Sequence, residues 1–320
     1  MIVTDLDMID LQLIHALRLD GRVSFSAVAE VLGVSDQTVA RRYKRMRGDG
    51  VLRVVGLPDP VRLGRGMWLL RLRATPDAAA SVATALARRP DTTWVSLSSG
   101  GTEIVSAVQP SHTADRDDLL LQKLPRTPRI VSVGAYLLLR VFAGGSVGGA
   151  APPDVLAPRQ RAALAFAASG PVTPLEPADD GLLALLAKDG RTSLADLATG
   201  TGWSESTARR RLTLLRSSGS IYFDVEVDPA LLGYGVQVML WLSVEPAHLD
   251  EVGHALAGHP EVVFAAATSG PTNLVATVVF QETAMVYDYL VRRIGPLPGV
   301  REIQTAPSIR TVKQVGTIER

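Results

Sequence analysis

The feature that most constrains this chain is a 31-residue segment that occurs twice. Shifting the sequence by 169 residues superposes Asp20–Gly50 on Asp189–Gly219 without a gap, and 12 of the 31 pairs are identical. Upstream, Asp10, Leu13 and Leu17 pair with Asp179, Leu182 and Leu186. Downstream one extra residue enters the second copy, so that Pro90 matches Pro260 and Ser99-Gly100 matches Ser269-Gly270 at a shift of 170. Solenoid units repeat every 20–50 residues or so; a period this long reads as a duplicated pair of domains.

Within each copy the most informative stretch is Val34–Arg47 or Trp203–Arg216, each preceded by a glycine. Ser35 and Ser204 are N-cap residues, because a serine hydroxyl accepts from an otherwise unpaired N–H of the first helical turn. Val39, Tyr43 and Met46, and their counterparts Ala208, Leu212 and Leu215, form one apolar stripe at helical spacing. The other face carries Gln37, Thr38, Arg41, Arg42 and Arg45 in the first copy. In the second it carries Ser206, Thr207, Arg209 and Arg210, with Arg211 beside them. A packed back with a basic, hydrogen-bonding front suits a reader of the DNA major groove. A solvated charged face is the bland alternative for any one such helix; the duplication favours function.

The preceding residues complete the motif. Asp7 to Leu19 reads as an amphipathic helix with Met8, Leu11, Ile14 and Leu17 along its stripe and Leu13 and Ala16 beside it. Asp20-Gly21-Arg22 breaks it, with Gly21 free to take positive φ. A second helix runs from Phe25 to Leu32 behind Ser24, and Gly33 makes the sharp turn into the third. This is the helix-turn-helix plan. Val51–Val55 reads as a wing strand, closed by Leu57-Pro58-Asp59-Pro60, and Arg22 and Arg191 as braces of the first turn.

Each half then alternates strand, helix, two strands, helix, strand. In the first half these are Met67–Arg73, Pro76–Arg89, Asp91–Ser98, Thr102–Gln109, Ala114–Lys123 and Ile130–Val141. In the second they are Val236–Val244, Ala247–Gly258, Val262–Thr268, Asn273–Phe280, Thr283–Ile294 and Gly299–Ile309. The order βαββαβ is the ferredoxin-like arrangement, whose sheet leaves one face bare; with two in one chain, the sheets are expected to cover one another. The fold class is therefore α+β, with winged helix-turn-helix domains alternating with ferredoxin-like domains as a pseudo-dimer. The domains fall at 1–60, 61–142, 174–229 and 230–320. A glycine- and proline-rich linker over 143–173 joins the halves, with a short helix over Pro158–Ser169 whose role is not readable.

Composition narrows the function classes. The net charge is only +1, from 33 basic and 32 acidic residues, so affinity for a polyanion must come from local patches. There is no cysteine, hence no disulfide or thiolate metal site. The N-terminus lacks a signal-peptide pattern, and no apolar run approaches the roughly 20 residues that span a bilayer. We expect a cytoplasmic protein with no membrane partner, no metal and no cofactor. The five histidines, His15, His112, His248, His254 and His259, show no metal-ligand spacing and read as surface residues; Trp68, Trp94 and Trp241 read as sheet core. No nucleophile–base pair, P-loop or dinucleotide fingerprint appears, so no catalytic residue is assigned.

The whole pattern resembles the Lrp/AsnC family of transcription regulators. The residues that carry the resemblance are Asp20-Gly-Arg22, Val31-Leu-Gly-Val-Ser35, Arg42, Gly50, Gly64–Gly66 and Ser99-Gly100-x-x-Glu103. Their counterparts are Asp189-Gly-Arg191, Gly202-Trp-Ser204, Arg211, Leu232-Gly-Tyr-Gly235 and Ser269-Gly270-x-x-Asn273. The resemblance implies double-stranded DNA as partner, with Arg42 and Arg211 on phosphate. Gln37, Thr38, Arg41, Ser206, Thr207 and Arg210 then stand at base edges, and Ser35, Arg45, Ser204 and Arg209 complete the expected DNA-binding set. It also implies a small effector, often an amino acid, at Gly100, Gly101, Thr102 and Glu103 and at Gly270, Thr272 and Asn273. Effector binding would change sheet packing and thereby the distance between the recognition helices. The family's aspartate is Glu103 in one half and Asn273 in the other, which leaves two sites that differ or one site that is empty. Family members usually carry one copy and dimerise, which makes this chain resemble a fused dimer, with further self-association through the sensor domains. Siroheme decarboxylases share the look of the family; they need histidine and arginine around a tetrapyrrole, and histidines here are sparse.

Overall fold

The computed structural model describes residues 6–110, 113–144, 155–314 and 317–318. His112 and most of the glycine-rich linker lie outside these residues. The first half contributes helices α1 (Met8–Leu19), α2 (Phe25–Leu32) and α3 (Asp36–Gly48), and strands β1 (Leu52–Pro58) and β2 (Trp68–Ala74). Helix α4 (Pro76–Ala87) and strands β3 (Thr92–Ser98) and β4 (Glu103–Val108) follow. Two short helices, α5 (Thr113–Asp117) and α6 (Leu124–Arg126), flank a π-helical turn before strand β5 (Ile130–Ala143). The second half begins with α7 (Pro158–Leu164), α8 (Asp180–Lys188), α9 (Leu194–Thr201), α10 (Glu205–Ser217) and β6 (Ile221–Val227). It continues with β7 (Val236–Val244), α11 (Leu249–Ala257), β8 (Val262–Thr268) and β9 (Leu274–Phe280). It ends with α12 (Thr283–Tyr289), β10 (Val300–Gln314) and the two-residue β11 (Thr317–Ile318).

These elements form two units that cut across the sequence halves: Met1–Leu63 with Ala150–Gly233, and Gly64–Gly149 with Tyr234–Arg320. The first unit pairs the two helix-turn-helix domains, α1–α3 and α8–α10. Their cores are the expected stripes: Val39, Tyr43 and Met46 of α3 and Ala208, Leu212 and Leu215 of α10 are all buried. On α1 the buried apolar residues are Leu13, Ile14, Ala16 and Leu17, whereas Met8 is exposed, so the inward face is rotated from the expected stripe.

The expected wing strand forms, and its partner comes from the other copy. Strand β1 pairs antiparallel with β6 of the other copy, and Val55 lies opposite Asp224, its own counterpart at a shift of 169. A strand that meets its own repeat marks a local two-fold axis. Pro58 and Pro60 prevent an immediate return strand, so the hydrogen-bonding edge of β1 is satisfied by the second copy. Gly21 also serves a purpose other than the expected one: it does not adopt positive φ. A Cβ there would lie 2.6 Å from the Phe223 Cβ, so the glycine permits close approach to the ribbon. Arg22 donates to the carbonyls of Gly190 (2.6 Å) and Thr192 (3.1 Å), and Arg191 to those of Gly21 (2.8 Å) and Val23 (3.0 Å). These arginines brace the turn of the opposite copy rather than their own. Ion pairs Arg47–Asp189 (2.8 Å) and Arg216–Asp20 (2.6 Å) repeat the exchange.

Residues 155–173 of the linker belong to this unit. Gln160 Nε2 on α7 donates to the Val31 carbonyl, and Gln12 Nε2 to that of Val155, fixing the segment against α1 and α2.

The second unit holds the two βαββαβ domains. Each sheet has the ferredoxin-like order, β3-β4-β2-β5 and β8-β9-β7-β10. The fourth strands are longer than the alternation suggested because each serves two sheets. Residues 130–137 of β5 pair with β2, and residues 138–143 with β8. Likewise β10 pairs first with β7 and then, from Ser308 to Gln314, with β3. The two sheets thus close on each other over a shared layer that includes Leu69, Trp94, Met239, Trp241 and Phe264. Full burial of each such side chain contributes about 1.5–3 kcal/mol before the entropy of ordering it. The helices pack on the outer faces, over separate clusters centred on Leu72 and Ile104 and on Leu240 and Phe280. Trp68 is half-buried on one of those outer faces, unlike Trp94 and Trp241.

Candidate nucleic-acid interface and sensor turns

The recognition helices start as the sequence predicts. Ser35 Oγ accepts from Thr38 N (3.1 Å) and Ser204 Oγ from Thr207 N (3.2 Å). The same hydroxyls bond the side chains of Thr38 and Thr207, both at 2.9 Å, so four of the expected DNA contacts are committed to capping. The capped N-termini leave partly unpaired N–H groups and a positive dipole end, a favourable place for phosphate.

The two family arginines do not stand free. Arg42 donates to Asp7 (2.7 Å) and Asp10 (2.9 Å), and Arg45 also bonds Asp10. Arg211 donates to Asp179 (2.7 and 2.6 Å) and to the Pro174 carbonyl (3.0 Å). Asp10 is 0% exposed and Asp179 is 1% exposed. Burial opposes ionisation of Asp179, but the Arg211 guanidinium and the Glu176 N–H outweigh it and hold the carboxyl below the ordinary range. Donating to Asp10 and Asp179 holds Arg42 and Arg211 more firmly protonated than usual. Arg42 and Arg211, expected on phosphate, tie the recognition helix to the start of the first helix of its own domain. A carboxylate at Asp10 or Asp179 cannot be desolvated without such a partner.

Exposed side chains include Gln37, Arg41, Lys44 and Arg45 on α3, and Ser206, Arg209, Arg210 and Thr213 on α10. Lys44 was not among the expected contacts, although it lies three residues beyond Arg41, which puts it on the same helical face. At shift 169 only Arg41 and Arg210 are alike; Gln37 faces Ser206, Ala40 faces Arg209 and Lys44 faces Thr213.

The two sensor turns differ more. In the first, Ser99 (φ 52°), Gly100 (73°) and Gly101 (79°) are consecutive left-handed residues, and nothing lies within 4 Å of where a Gly100 Cβ would be. Thr102 Oγ1 closes the turn on the Ser99 carbonyl (3.1 Å). In the second, only Gly270 is left-handed, and the Tyr136 ring lies 2.5 Å from the position of its missing Cβ. Ser269 is locked to β5 by two bonds with the Leu137 backbone, both at 2.9 Å. The counterpart of Tyr136 is Ala306 and that of Leu137 is Pro307, so the first turn receives neither ring nor N–H.

Several expected effector contacts are used internally. Glu103 is 3% exposed and pairs with Arg71 (3.0 Å). Arg71 also donates to Gln304 (2.8 Å) and stacks 4.8 Å over Trp241. Asn273 clamps both backbone groups of Val244 at 2.9 Å, and Thr272 is buried with its carbonyl accepting from Thr268. What the first turn presents to solvent is its Ser99–Gly101 backbone. The histidines also depart from a simple surface reading: His259 Nδ1 lies 3.0 Å from the Tyr289 hydroxyl, and burial beside Arg293 lowers its pKa. Among the described residues no group of three or more histidine or carboxylate side chains is placed to hold a metal, and no helix is long and apolar enough to cross a membrane.

Comparison with known proteins agrees with this architecture. The AsnC-type helix-turn-helix domain signature matches residues 6–47 and 178–216, and the Lrp/AsnC ligand binding domain signature matches residues 237–318. The HTH-type transcriptional regulator FL11 of Pyrococcus horikoshii is 31% identical over 142 residues, covering 44% of this chain and 93% of that protein. Its namesake in Pyrococcus furiosus is 28% identical over 141 residues, with the same coverage of 44% and 93%. The crystal structure of the siroheme decarboxylase NirDL is similar at a TM-score of 0.63 and 16% identity, over 97% of this chain and 93% of that one. That likeness is one of fold, and it extends over both copies. The chain belongs to the Lrp/AsnC family of transcriptional regulators, in a tandem-duplicated form.

Proposed function

We propose that the chain is a transcriptional regulator that reads two unequal half-sites in double-stranded DNA through α3 and α10. The observation that carries this is the pair of capped helices, related by the two-fold axis at Val55 and Asp224, whose outer faces display unpaired basic residues. Arg41 and Arg210 supply the common contact. Gln37 with Lys44 and Ser206 with Arg209 supply the differences, and base-edge chemistry at those positions sets a distinct sequence for each half-site.

The effector part of the proposal rests on the open turn. A small metabolite of the amino-acid class is bound at Ser99–Gly101, where left-handed residues present main-chain groups without a covering side chain. The second turn, filled by Tyr136, does not take part. The protein acts in the cytoplasm, without catalysis of its own, and associates further through exposed apolar residues such as Tyr287 and Val291, one helical turn apart on the outer face.

The test is DNA binding by the purified chain to the region beside its own gene, at two salt concentrations, with and without pooled amino acids. A specific, salt-sensitive complex that the pool alters is the expected result. Absence of specific binding, together with a coloured protein or tetrapyrrole uptake, would instead support a decarboxylase on the same fold.

A further inference from the structure

The DNA-binding unit contains a cavity of about 350 Å³ at the junction of its two domains, at the lower end of ligand pockets, about 300–1,000 Å³. One wall is the end of α1 at Asp20, and another is the end of α10 at Arg216. The floor is the β6 ribbon at Phe223, and the segment between the halves closes it with Phe166 and Ala168. Its lining is not repeated across the two-fold axis. At shift 169 Tyr222 and Phe223 become Arg53 and Val54, and Arg62 becomes Leu231. Phe166 and Ala168 lie outside the repeat altogether. A dimer of separate identical chains has no such asymmetric closing segment, so the cavity is a product of the fusion.

Its chemistry is anion-seeking at one end and aromatic at the other. Arg216 gives one N–H to Asp20 (2.6 Å), while its Nε is buried without a partner, and its guanidinium stacks 4.0 Å from the Phe166 ring centre. Arg62 uses Nη2 on the carbonyls of Ser218 (2.8 Å) and Gly170 (3.4 Å). Of the two acids in the wall, Asp20 is already engaged by Arg216 and the Arg22 N–H, and Asp59 accepts from the Arg62 N–H. Phe166 remains 42% exposed beside this opening.

We infer that this cavity is a binding site for a small carboxylate with an aromatic body. The carboxylate takes the spare Arg62 donors beside the Arg216 guanidinium; the ring lies against Phe166 and Phe223. Because the walls come from both helix-turn-helix domains, the ligand changes the equilibrium between arrangements of the two recognition helices by its differential affinity for them. The site is separate from the sensor turns and independent of whether these bind an effector.

The test is isothermal titration calorimetry of the full chain with phenylacetate and, in a second arm, L-phenylalanine. One equivalent per chain is expected with at least one probe, and the tighter of the two identifies a free acid or an amino acid as the source. Phe166→Ala and Ala168→Trp are each expected to weaken binding at least tenfold, with melting curves like the parent's, while Thr102→Val at the sensor turn leaves it unchanged. No heat from either probe at millimolar concentration overturns the inference. So does binding that survives both cavity variants or that is lost in Thr102→Val.

Discussion

The turns at Ser99 and Ser269 occupy equivalent places in two copies of one domain, yet one is open and the other is filled. The difference traces to single residues on a neighbouring strand: Tyr136 against Ala306, and Leu137 with its N–H against Pro307 without one. In a dimer of identical chains, both turns must meet the same neighbours. Fusion removes that constraint. The same freedom shows where a residue meets its own counterpart. Arg71 and Trp241 are equivalent at shift 170 and stack on each other, an attractive contact that two arginines would not make. Val55 opposite Asp224 is a second instance.

The largest effect expected from breaking this comparison lies in the DNA-binding unit. Asp179 depends on Arg211, whereas Asp10 is shared by Arg42 and Arg45, because Leu214 replaces the second arginine in α10. Arg211→Ala should cost about 2–4 kcal/mol by leaving a buried carboxylate unpaired, and Arg42→Ala about half as much. Urea unfolding of the two variants checks the order. Equal losses would contradict the buttress assignment.

Next in size is Tyr136→Ala. Truncating a half-buried aromatic that packs on Gly270 and Trp241 should cost about 2 kcal/mol. The variant should also open the second turn, so that effector binding rises from one site per chain to two in a calorimetric titration. An unchanged stoichiometry of two in both proteins would remove the functional meaning of the filled turn.

Substitutions on the reading face should act on binding alone. Arg41→Ala and Arg210→Ala are each expected to weaken DNA binding about tenfold and lower the salt slope by about one, with unfolding midpoints unchanged. Each should relax sequence preference in its own half-site only, which competition with half-site mutants of the DNA would show.

The smallest effect concerns acid stability. With its carboxyl held low in the fold, Asp179 binds protons less readily there than in the unfolded chain. Its contribution is therefore complete above the ordinary carboxylate range and fades as pH falls below about 4. Arg211→Ala should flatten that part of the pH–stability curve, measured by thermal melts between pH 3 and pH 6.

Much of this architecture was legible in the residues. Ser35 and Ser204 as caps, the buried stripes of α3 and α10, and the βαββαβ order all follow from local periodicity and capping chemistry. What periodicity does not encode is the partner. Val51–Val55 reads as a strand but not as one paired with its own repeat. Gly21 reads as a turn glycine, although its requirement is space beside Phe223. Arg42 and Arg211 look like DNA contacts because the acids that engage them lie 32 and 35 residues away for Arg42 and 32 away for Arg211. Glu103 and Asn273 sit where the resemblance puts effector ligands, but burial and tertiary hydrogen bonds have claimed both. The asymmetry of the turns was visible only as two substitutions, and its consequence depends on which strand edge lies beside each turn.

The most direct test of the central claim, that the two copies read DNA unequally, is selection of binding sequences by the intact chain from a pool of random duplexes. Unequal reading gives a bipartite consensus with two different half-sites, one altered by Gln37→Ser and the other by Arg209→Ala. A palindromic consensus, or a single half-site that ignores α10, would contradict it.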